Sequence, residues 1–138
     1  MAGIKCTSKV SEAFETMKGT TDLRYITFGF VEKNQKLEID VRSTGPYDRT
    51  FEDVAHELLA AAKARQGSYA LYLYESETKP AELVLIKWAP DSIPVDQKML
   101  LDSSIGSLKE ALAGVNTSLE FRHELELCPE ILAMKIGY

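Results

Sequence analysis

The chain has 138 residues, of which 45% are hydrophobic and 27% are charged, and this size predicts one ordinary globular domain over residues 1–138. The formal net charge of −5 argues against a general affinity for nucleic acid or for an anionic membrane. No apolar run is as long as a membrane span, and the first residues lack the apolar region of a signal peptide. We therefore expect a cytoplasmic protein that does not insert into membranes, and we expect it to be a monomer.

The first part of the chain predicts a helix followed by a β-hairpin. Thr7 can cap a helix whose apolar residues recur at helical spacing at positions 10, 14 and 17. A strand is predicted over residues 24–31, and Asn34 with Gln35 indicates a turn. Apolar and charged residues then alternate over residues 37–42. This pattern is typical of a half-exposed strand, with Asp40 among the residues that face water.

The second part alternates helices and strands. Thr50 with Asp53 resembles a capping box at the start of a helix. Residues 68–74 and 83–88 are apolar on both faces, as in central strands that are covered on both sides. The longest predicted helix runs from about residue 95 to residue 113. It is followed by an alternating strand over 119–127, with His123 on the apolar side, and by a short helix over 130–135.

The predicted order of elements is αββαββαβα. This order is typical of an α/β (α+β) domain with a central mixed β-sheet of about five strands and helices on both faces. We expect the boundaries of the individual elements to be accurate to a few residues.

Residues that could carry catalysis or bind a metal are scarce. The sequence contains no glycine-rich phosphate loop and no nucleophile elbow. Ser76 and Lys79 have the spacing of an S-x-x-K motif but lie in a polar hairpin, where a solvated turn is the better interpretation. No pair among His56, His123 and the two cysteines has metal-ligand spacing. We therefore predict no enzyme activity, no catalytic residue, no metal site and no cofactor.

The long helix carries apolar residues on the side opposite its core face. Leu101, Leu108 and the other core positions share one face, whereas Val95 and Met99 lie opposite them, near the charged residues Lys98, Asp102 and Lys109. Met99 can present an exposed, adaptable apolar contact beside a lysine. It can equally pack under the preceding loop, and the helical wheel alone does not decide between these two interpretations.

Residues 88–99, W-A-P-D-S-I-P-V-D-Q-K-M, strongly resemble the W-[AS]-P-[DE]-x-x-P-x-x-x-K-M signature of the ADF/cofilin family. Ser103 and Ser104 stand at the place of the family's serine pair, and residues 24–28, R-Y-I-T-F, are similar to its first strand. The resemblance extends over nearly the whole chain, and the family's fold is a mixed sheet between helices, as predicted above.

The resemblance implies an actin-binding protein that regulates filament turnover by binding actin monomers, preferably ADP-bound, and the sides of filaments. The long helix would insert into a cleft between two actin subdomains. Lys98 would pair with an actin carboxylate and Met99 would fill the cleft, with Gly3 and Ile4 beside them. The resemblance also implies that Val95, Asp102 and Lys109 belong to the monomer-binding site.

Several positions depart from the family pattern. Ala2 replaces the usual regulatory serine, and Asp96 replaces a residue that is often basic. The family's second, filament-only site is implied at the hairpin before residue 88 and on the terminal helix, where this chain offers Lys79, Glu82, Glu130 and Lys135. Lost cations weaken attraction to an acidic partner. We therefore expect weak filament binding, poor severing and, at most, weak phosphoinositide binding.

Three alternatives remain open at this point. The chain could be a related domain with another target, such as a glia maturation factor, which acts on the Arp2/3 complex, or a coactosin. It could be a module that keeps the fold without strong actin binding, as the acidic residues Asp96, Asp102 and Glu110 allow. A small enzyme with an unrecognised site is the third alternative, because a fold does not fix a function.

Overall fold

The computed structural model describes residues 4–20 and 22–137. Gly3, which the resemblance placed in the binding site, and Ala2 lie outside the described residues. The described chain forms the following elements, in order: β1 (Lys5–Cys6), α1 (Ser8–Gly19), β2 (Leu23–Lys33), β3 (Lys36–Pro46), α2 (Phe51–Lys63), β4 (Ser68–Tyr74), β5 (Glu82–Trp88), α3 (Val95–Ala111), β6 (Thr117–Phe121), a 3-10 turn (Glu124–Glu126) and α4 (Pro129–Ile136).

The strands form one mixed sheet in the order β1-β3-β2-β4-β5-β6. The four central strands pair antiparallel, whereas β1 pairs with β3 and β6 pairs with β5 in parallel. The predicted mixed sheet is confirmed. It contains six strands where about five were predicted, because the two residues of β1 are too few to show a periodic pattern in the sequence.

Hydrophobic cores lie on both faces of the sheet. The first core packs α1 and α3 against side chains such as Phe28, Tyr69 and Leu85. The second core packs α2 and α4 against the alternate side chains, among them Tyr72 and Trp88. Because successive side chains of a strand point to opposite faces, β4 and β5 serve both cores. The predicted covering of both faces is therefore confirmed.

Two predicted local signals are confirmed. Asn34 and Gln35 have positive φ angles of 51° and 65° and connect Lys33 to Lys36, which pair across the hairpin. This is the conformation that a two-residue hairpin turn favours. At the start of α2 the Asp53 carboxylate accepts a hydrogen bond of 2.8 Å from the Thr50 N–H, and this bond lowers the pKa of Asp53.

The predicted last strand was too long. β6 ends at Phe121, because the Glu126 carboxylate accepts hydrogen bonds from the N–H groups of Arg122 and His123, at 2.8 and 3.1 Å, and so folds the next residues into the 3-10 turn. His123, predicted to be partly buried, is exposed. Leu125, which the alternation placed on the apolar side, is 88% exposed.

Helix α3 is fixed to the sheet by two polar contacts in addition to its apolar face. The buried Tyr69 hydroxyl donates to the Leu101 carbonyl at 2.5 Å, and the Gly67 N–H donates to the Gln97 side-chain oxygen at 2.9 Å. A Cβ at Gly67 would lie 2.7 Å from the buried Leu101 side chain, so the close packing of Leu101 on this segment favours glycine here.

We expect the Tyr69→Phe substitution to lower the free energy of unfolding by about 1 kcal/mol, the usual net value of one buried hydrogen bond. Urea denaturation of both proteins measures this difference. Tyr74→Phe is the matched control, because the Tyr74 hydroxyl has no hydrogen-bond partner within residues 4–20 and 22–137. Equal losses in the two variants would show that the Tyr69 hydroxyl does not hold α3.

Candidate functional site

The candidate site is the side of α3 that faces away from the sheet. We call it the α3 outer face and define it by Val95, Lys98, Met99, Asp102 and Lys109, which cluster on one side of the helix at 100° per residue. Val95 is 69% exposed and Met99 is 65% exposed. The interpretation that Met99 packs under the preceding loop is therefore wrong.

The exposure of the outer face follows from how the helix is seated. Leu101, Ser104 and Leu108 are buried on the opposite side of α3. The connection before the helix is also held inward, because Pro90 and Ile93 are buried, and Pro94 is the N-cap residue of the helix. With the core side fixed in this way, Val95 and Met99 cannot turn inward.

Lys98 is half-buried and forms an ion pair with Asp91, at 3.6 Å between Nζ and Oδ1. The Asp91 side chain is 86% exposed, so the pair lies in water. Exposed pairs of this kind contribute about 0–1 kcal/mol. Lys98 can therefore exchange Asp91 for a carboxylate of a partner at little cost.

Asp102 already has a partner within the chain. Its carboxylate is paired with Lys87 of β5, which also lies 3.5 Å from Glu120 of β6. Glu120 in turn accepts a hydrogen bond of 2.6 Å from Arg122. The hydrogen bond from Arg122 and the charge of Lys87 lower the pKa of Glu120 against the opposing effect of its burial. Asp102 thus ties α3 to the sheet edge, while Lys109 further along the outer face is exposed.

The segment that follows Ile4 contacts both α3 and the sheet, and the Cys6 thiol donates to the Ser107 carbonyl of α3 at 3.8 Å. Ile4 is half-buried against the first core. The Thr7 N–H donates to the Ile39 carbonyl at 2.9 Å, and the Thr7 hydroxyl donates to the Asp40 carboxylate at 2.7 Å. Thr7 was predicted to cap α1, but its hydroxyl makes no cap hydrogen bond and holds Asp40 instead.

Asp40 was predicted to face water and is 8% exposed. Its carboxylate accepts hydrogen bonds from Thr7 and from the Val41 N–H, at 2.7 and 2.8 Å, and lies 3.7 Å from Lys33. Burial raises the pKa of Asp40. The hydrogen bonds from Thr7 and Val41 and the charge of Lys33 together lower the pKa by more than burial raises it, so the net pKa is lowered. The alternating pattern missed this residue because polar partners satisfy it inside the protein.

Three of the four residues of the second predicted site are engaged within the chain, and Lys79 reaches the end of α4. The Lys79 ammonium donates to the Gly137 carbonyl at 3.1 Å, and Glu82 accepts a bond of 2.6 Å from Thr117. Lys135 lies 3.5 Å from Glu126. Glu130 is exposed. This region therefore offers little free positive charge.

Other kinds of site find little support. Within residues 4–20 and 22–137, no group of three His, Cys, Asp or Glu side chains is arranged to hold a metal ion. Over the same described ranges, no helix has the length and apolar character needed to cross a bilayer.

Comparison with known proteins identifies the family. The model of the family described as "Cofilin/tropomyosin-type actin-binding protein" matches residues 3–137. The chain belongs to the ADF/cofilin family. Cofilin from Schizosaccharomyces pombe is 26% identical over 138 residues, covering 98% of this chain and 96% of the relative. Actophorin from Acanthamoeba castellanii is 27% identical over 136 residues, with 96% and 94% covered.

A solved structure agrees with this assignment. Cofilin from Streptomyces griseoflavus superposes with a TM-score of 0.81 at 25% sequence identity, and 98% of each chain is covered. The resemblance noted in the sequence is thus confirmed at the level of family and fold. The description of the family model names actin binding.

The Asp40 contacts predict a stability that depends on pH. Because the pKa of Asp40 is lower in the folded ADF/cofilin domain than in the unfolded chain, where it is about 3.9, its contribution is complete above about pH 5 and is lost as the pH falls through the folded value. We expect Asp40→Asn to lower the free energy of unfolding by roughly 1–2 kcal/mol at pH 7. This difference should shrink as the pH approaches about 3.

Urea denaturation of both proteins at several pH values measures this effect. Asp48→Asn is the matched control, because Asp48 is exposed and should change stability little at any pH. A loss for Asp40→Asn that is independent of pH would contradict the assignment of the effect to the ionised carboxylate.

Proposed function

We propose that this protein binds actin monomers through the α3 outer face, with Ile4 contributing to the contact, and thereby promotes depolymerisation. The observation that carries the proposal is the pair of exposed apolar side chains, Val95 and Met99, on a helix that is rigidly seated in a domain of an actin-binding family. Single exposed apolar residues are common, but two neighbours on one helix face match the way a helix fills a hydrophobic groove.

The proposed binding energy comes mainly from apolar contact. The thioether of Met99 adapts to irregular apolar surfaces, and its exposed position lets it enter a cleft without rearrangement of the domain. Lys98 lies at the rim of this contact and would exchange Asp91 for an actin carboxylate. Asp102 keeps α3 in place through Lys87 and, in this proposal, contributes mainly by positioning the helix.

We further propose that the ADP-bound monomer is the preferred form and that the bound domain slows nucleotide exchange. A domain wedged into the cleft between two actin subdomains would oppose the opening that exchange requires. Measuring nucleotide exchange and monomer binding together tests both the preference for ADP-bound actin and the slowing of exchange.

We expect the double substitution Lys98→Ala/Met99→Ala to weaken binding to ADP-actin monomers by about 2 kcal/mol or more, because a few anchor residues carry most of the energy of such contacts. The affinity is measured with fluorescently labelled monomeric actin, and the rate of nucleotide exchange is measured in parallel. The variant should also lose the slowing of exchange.

Lys36→Ala/Met134→Ala is the matched control. It also removes one exposed lysine and one exposed methionine, and Met134, 67% exposed, resembles Met99 in exposure. The control should bind actin as the unchanged protein does, and thermal unfolding should show that both variants are folded. Equal affinity of the two double variants would exclude the α3 outer face as the binding surface.

Binding to filament sides is proposed to be weak because the second site lacks free cations. Lys79 and Lys135 are held by Gly137 and Glu126, and Glu82 and Glu130 add negative charge. Since charges act over a Debye length of about 8 Å at physiological salt, these acids oppose approach to an acidic surface. Weak filament binding in turn implies poor severing.

We expect the unchanged protein to cosediment weakly with filaments at physiological salt. Ala81→Lys, which adds a cation to the exposed hairpin before β5, should increase cosedimentation by about two- to fivefold at low salt, as expected for one exposed charge pair. Ala81→Gln is the control of similar length and should leave it unchanged. Saturating decoration of filaments by the unchanged protein would contradict the proposal.

A further inference from the structure

Lys87 of β5 reaches the α3 outer face from the sheet. Its side chain is only 15% exposed, and its ammonium contacts the Asp102 carboxylate of α3 and lies 3.5 Å from Glu120 of β6. Because a charge that leaves water needs polar partners, these two carboxylates hold the lysine in this position. Lys87 comes just before the signature segment 88–99 and belongs to neither predicted binding site. It nevertheless contacts a residue of the outer face directly.

Asp102 has another cation within reach on its own helix. Lys98 precedes it by four residues, and residues at this spacing on a helix have their Cβ atoms about 5–6 Å apart. The structure pairs the two residues otherwise. Lys98 lies 3.6 Å from Asp91, and Asp102 is paired with Lys87. Lys87 thus engages the carboxylate that would compete for Lys98.

Arg122 is a third cation near Asp102, but it is already held. The hydrogen bond and the charge of Glu120 raise the pKa of Arg122, and the charge of Asp102 raises it further. The Arg122 Nε donates to Glu120 at 2.6 Å, and Glu120 would depend on this partner even more if Lys87 were absent. Lys98, by contrast, gives up only an exposed carboxylate. A released Asp102 would therefore take Lys98.

We propose that Lys87 is a positioning residue for actin binding, because it holds Asp102 at the sheet edge and so keeps Lys98 available for an actin carboxylate. This inference rests on the proposed function, which gives Lys98 that contact. Without Lys87, Asp102 competes with actin for Lys98. Its carboxylate also stands without a counter-charge on the surface that approaches an acidic partner, which disfavours the contact.

We expect Lys87→Met, which keeps an apolar stem and removes the charge, to weaken binding to ADP-actin monomers by about two- to fivefold, the value of one exposed charge pair. Asp102→Asn also loses the contact between helix and sheet, but it leaves no carboxylate to compete for Lys98, so it should weaken binding less. The double variant Lys87→Met/Asp102→Asn should bind as Asp102→Asn does. The second substitution should thus restore part of the affinity that the first removes.

This recovery separates the proposed role from a merely structural one. If Lys87 only tied α3 to the sheet, all three variants would lose the same contact and bind actin equally weakly. Lys18→Met is the matched control, because Lys18 is also paired, with Glu15 at 3.2 Å, but lies on α1. It should bind as the unchanged protein does, and thermal unfolding should show that every variant is folded.

A crystal structure of the Lys87→Met variant without actin tests the re-pairing by itself. We expect Lys98 Nζ to lie within about 4 Å of the Asp102 carboxylate, the usual limit for an ion pair. Lys98 still paired with Asp91, or no recovery of affinity in the double variant, would overturn the inference and leave the proposed function standing. Unchanged binding by Lys98→Ala/Met99→Ala would refute the proposed function, and with it this role of Lys87, even where Lys98 had moved to Asp102.

Discussion

The seating of α3 on β4 is the constraint on which the candidate site depends. The Leu101 side chain packs so closely on Gly67, just before β4, that a Cβ would lie 2.7 Å from it, and the Tyr69 hydroxyl donates a hydrogen bond to the Leu101 carbonyl. These contacts hold the core side of α3 against the sheet. The apolar side chains Val95 and Met99 remain in water because their burial would require breaking these contacts, and not because exposure is favourable for them.

The segment from Trp88 to Met99 explains in physical terms why the family signature has its spacing. Trp88 enters the second core and Ile93 enters the first, so the four residues 89–92 carry the chain around the end of the sheet from one face to the other. The Ala89 N–H donates to the Phe121 carbonyl at 3.0 Å, which continues the pairing of β5 with β6. Pro94 then starts the helix, and its carbonyl accepts the Lys98 N–H at 3.2 Å. Lys98 and Met99 thus stand one turn into a helix whose start is fixed by two cores.

Periodicity in the sequence predicted most of the fold, because each long element buries one face or both. The helices α1 to α4 and the strands β2 to β5 were found in this way. β1 was missed because its two residues, which pair with β3, are too few to show a periodic pattern. The predicted length of β6 was wrong because the capping by Glu126 is a contact between side chain and backbone that overrides the alternation.

The site was predictable only in part, for a related reason. Helical spacing placed Met99 and Val95 together, but exposure depends on what the loop before the helix does, and that required the structure. The burial of Asp40 and the pairing of Asp102 with Lys87 depend on residues far apart in sequence. No pattern along the chain indicates such contacts. The partner of each charged residue could therefore be found only in the structure.

For the proposed binding to actin we infer that apolar contact is the main source of affinity, because three of the four lysines in the predicted sites have a partner within the chain and only Lys109 is exposed without one among residues 4–20 and 22–137. Lys79, Lys87 and Lys135 are committed to internal carbonyl or carboxylate oxygens, and Lys98 shares Asp91 at the surface. Each such cation must give up an existing partner before it can serve an acidic one, so its net contribution is smaller than that of a free lysine. The exposed carbon and sulfur of Val95 and Met99 carry no such cost, since they exchange only water for protein on binding. A surface of this kind suits a cleft better than a flat, acidic filament side, where long-range attraction between charges contributes more to binding.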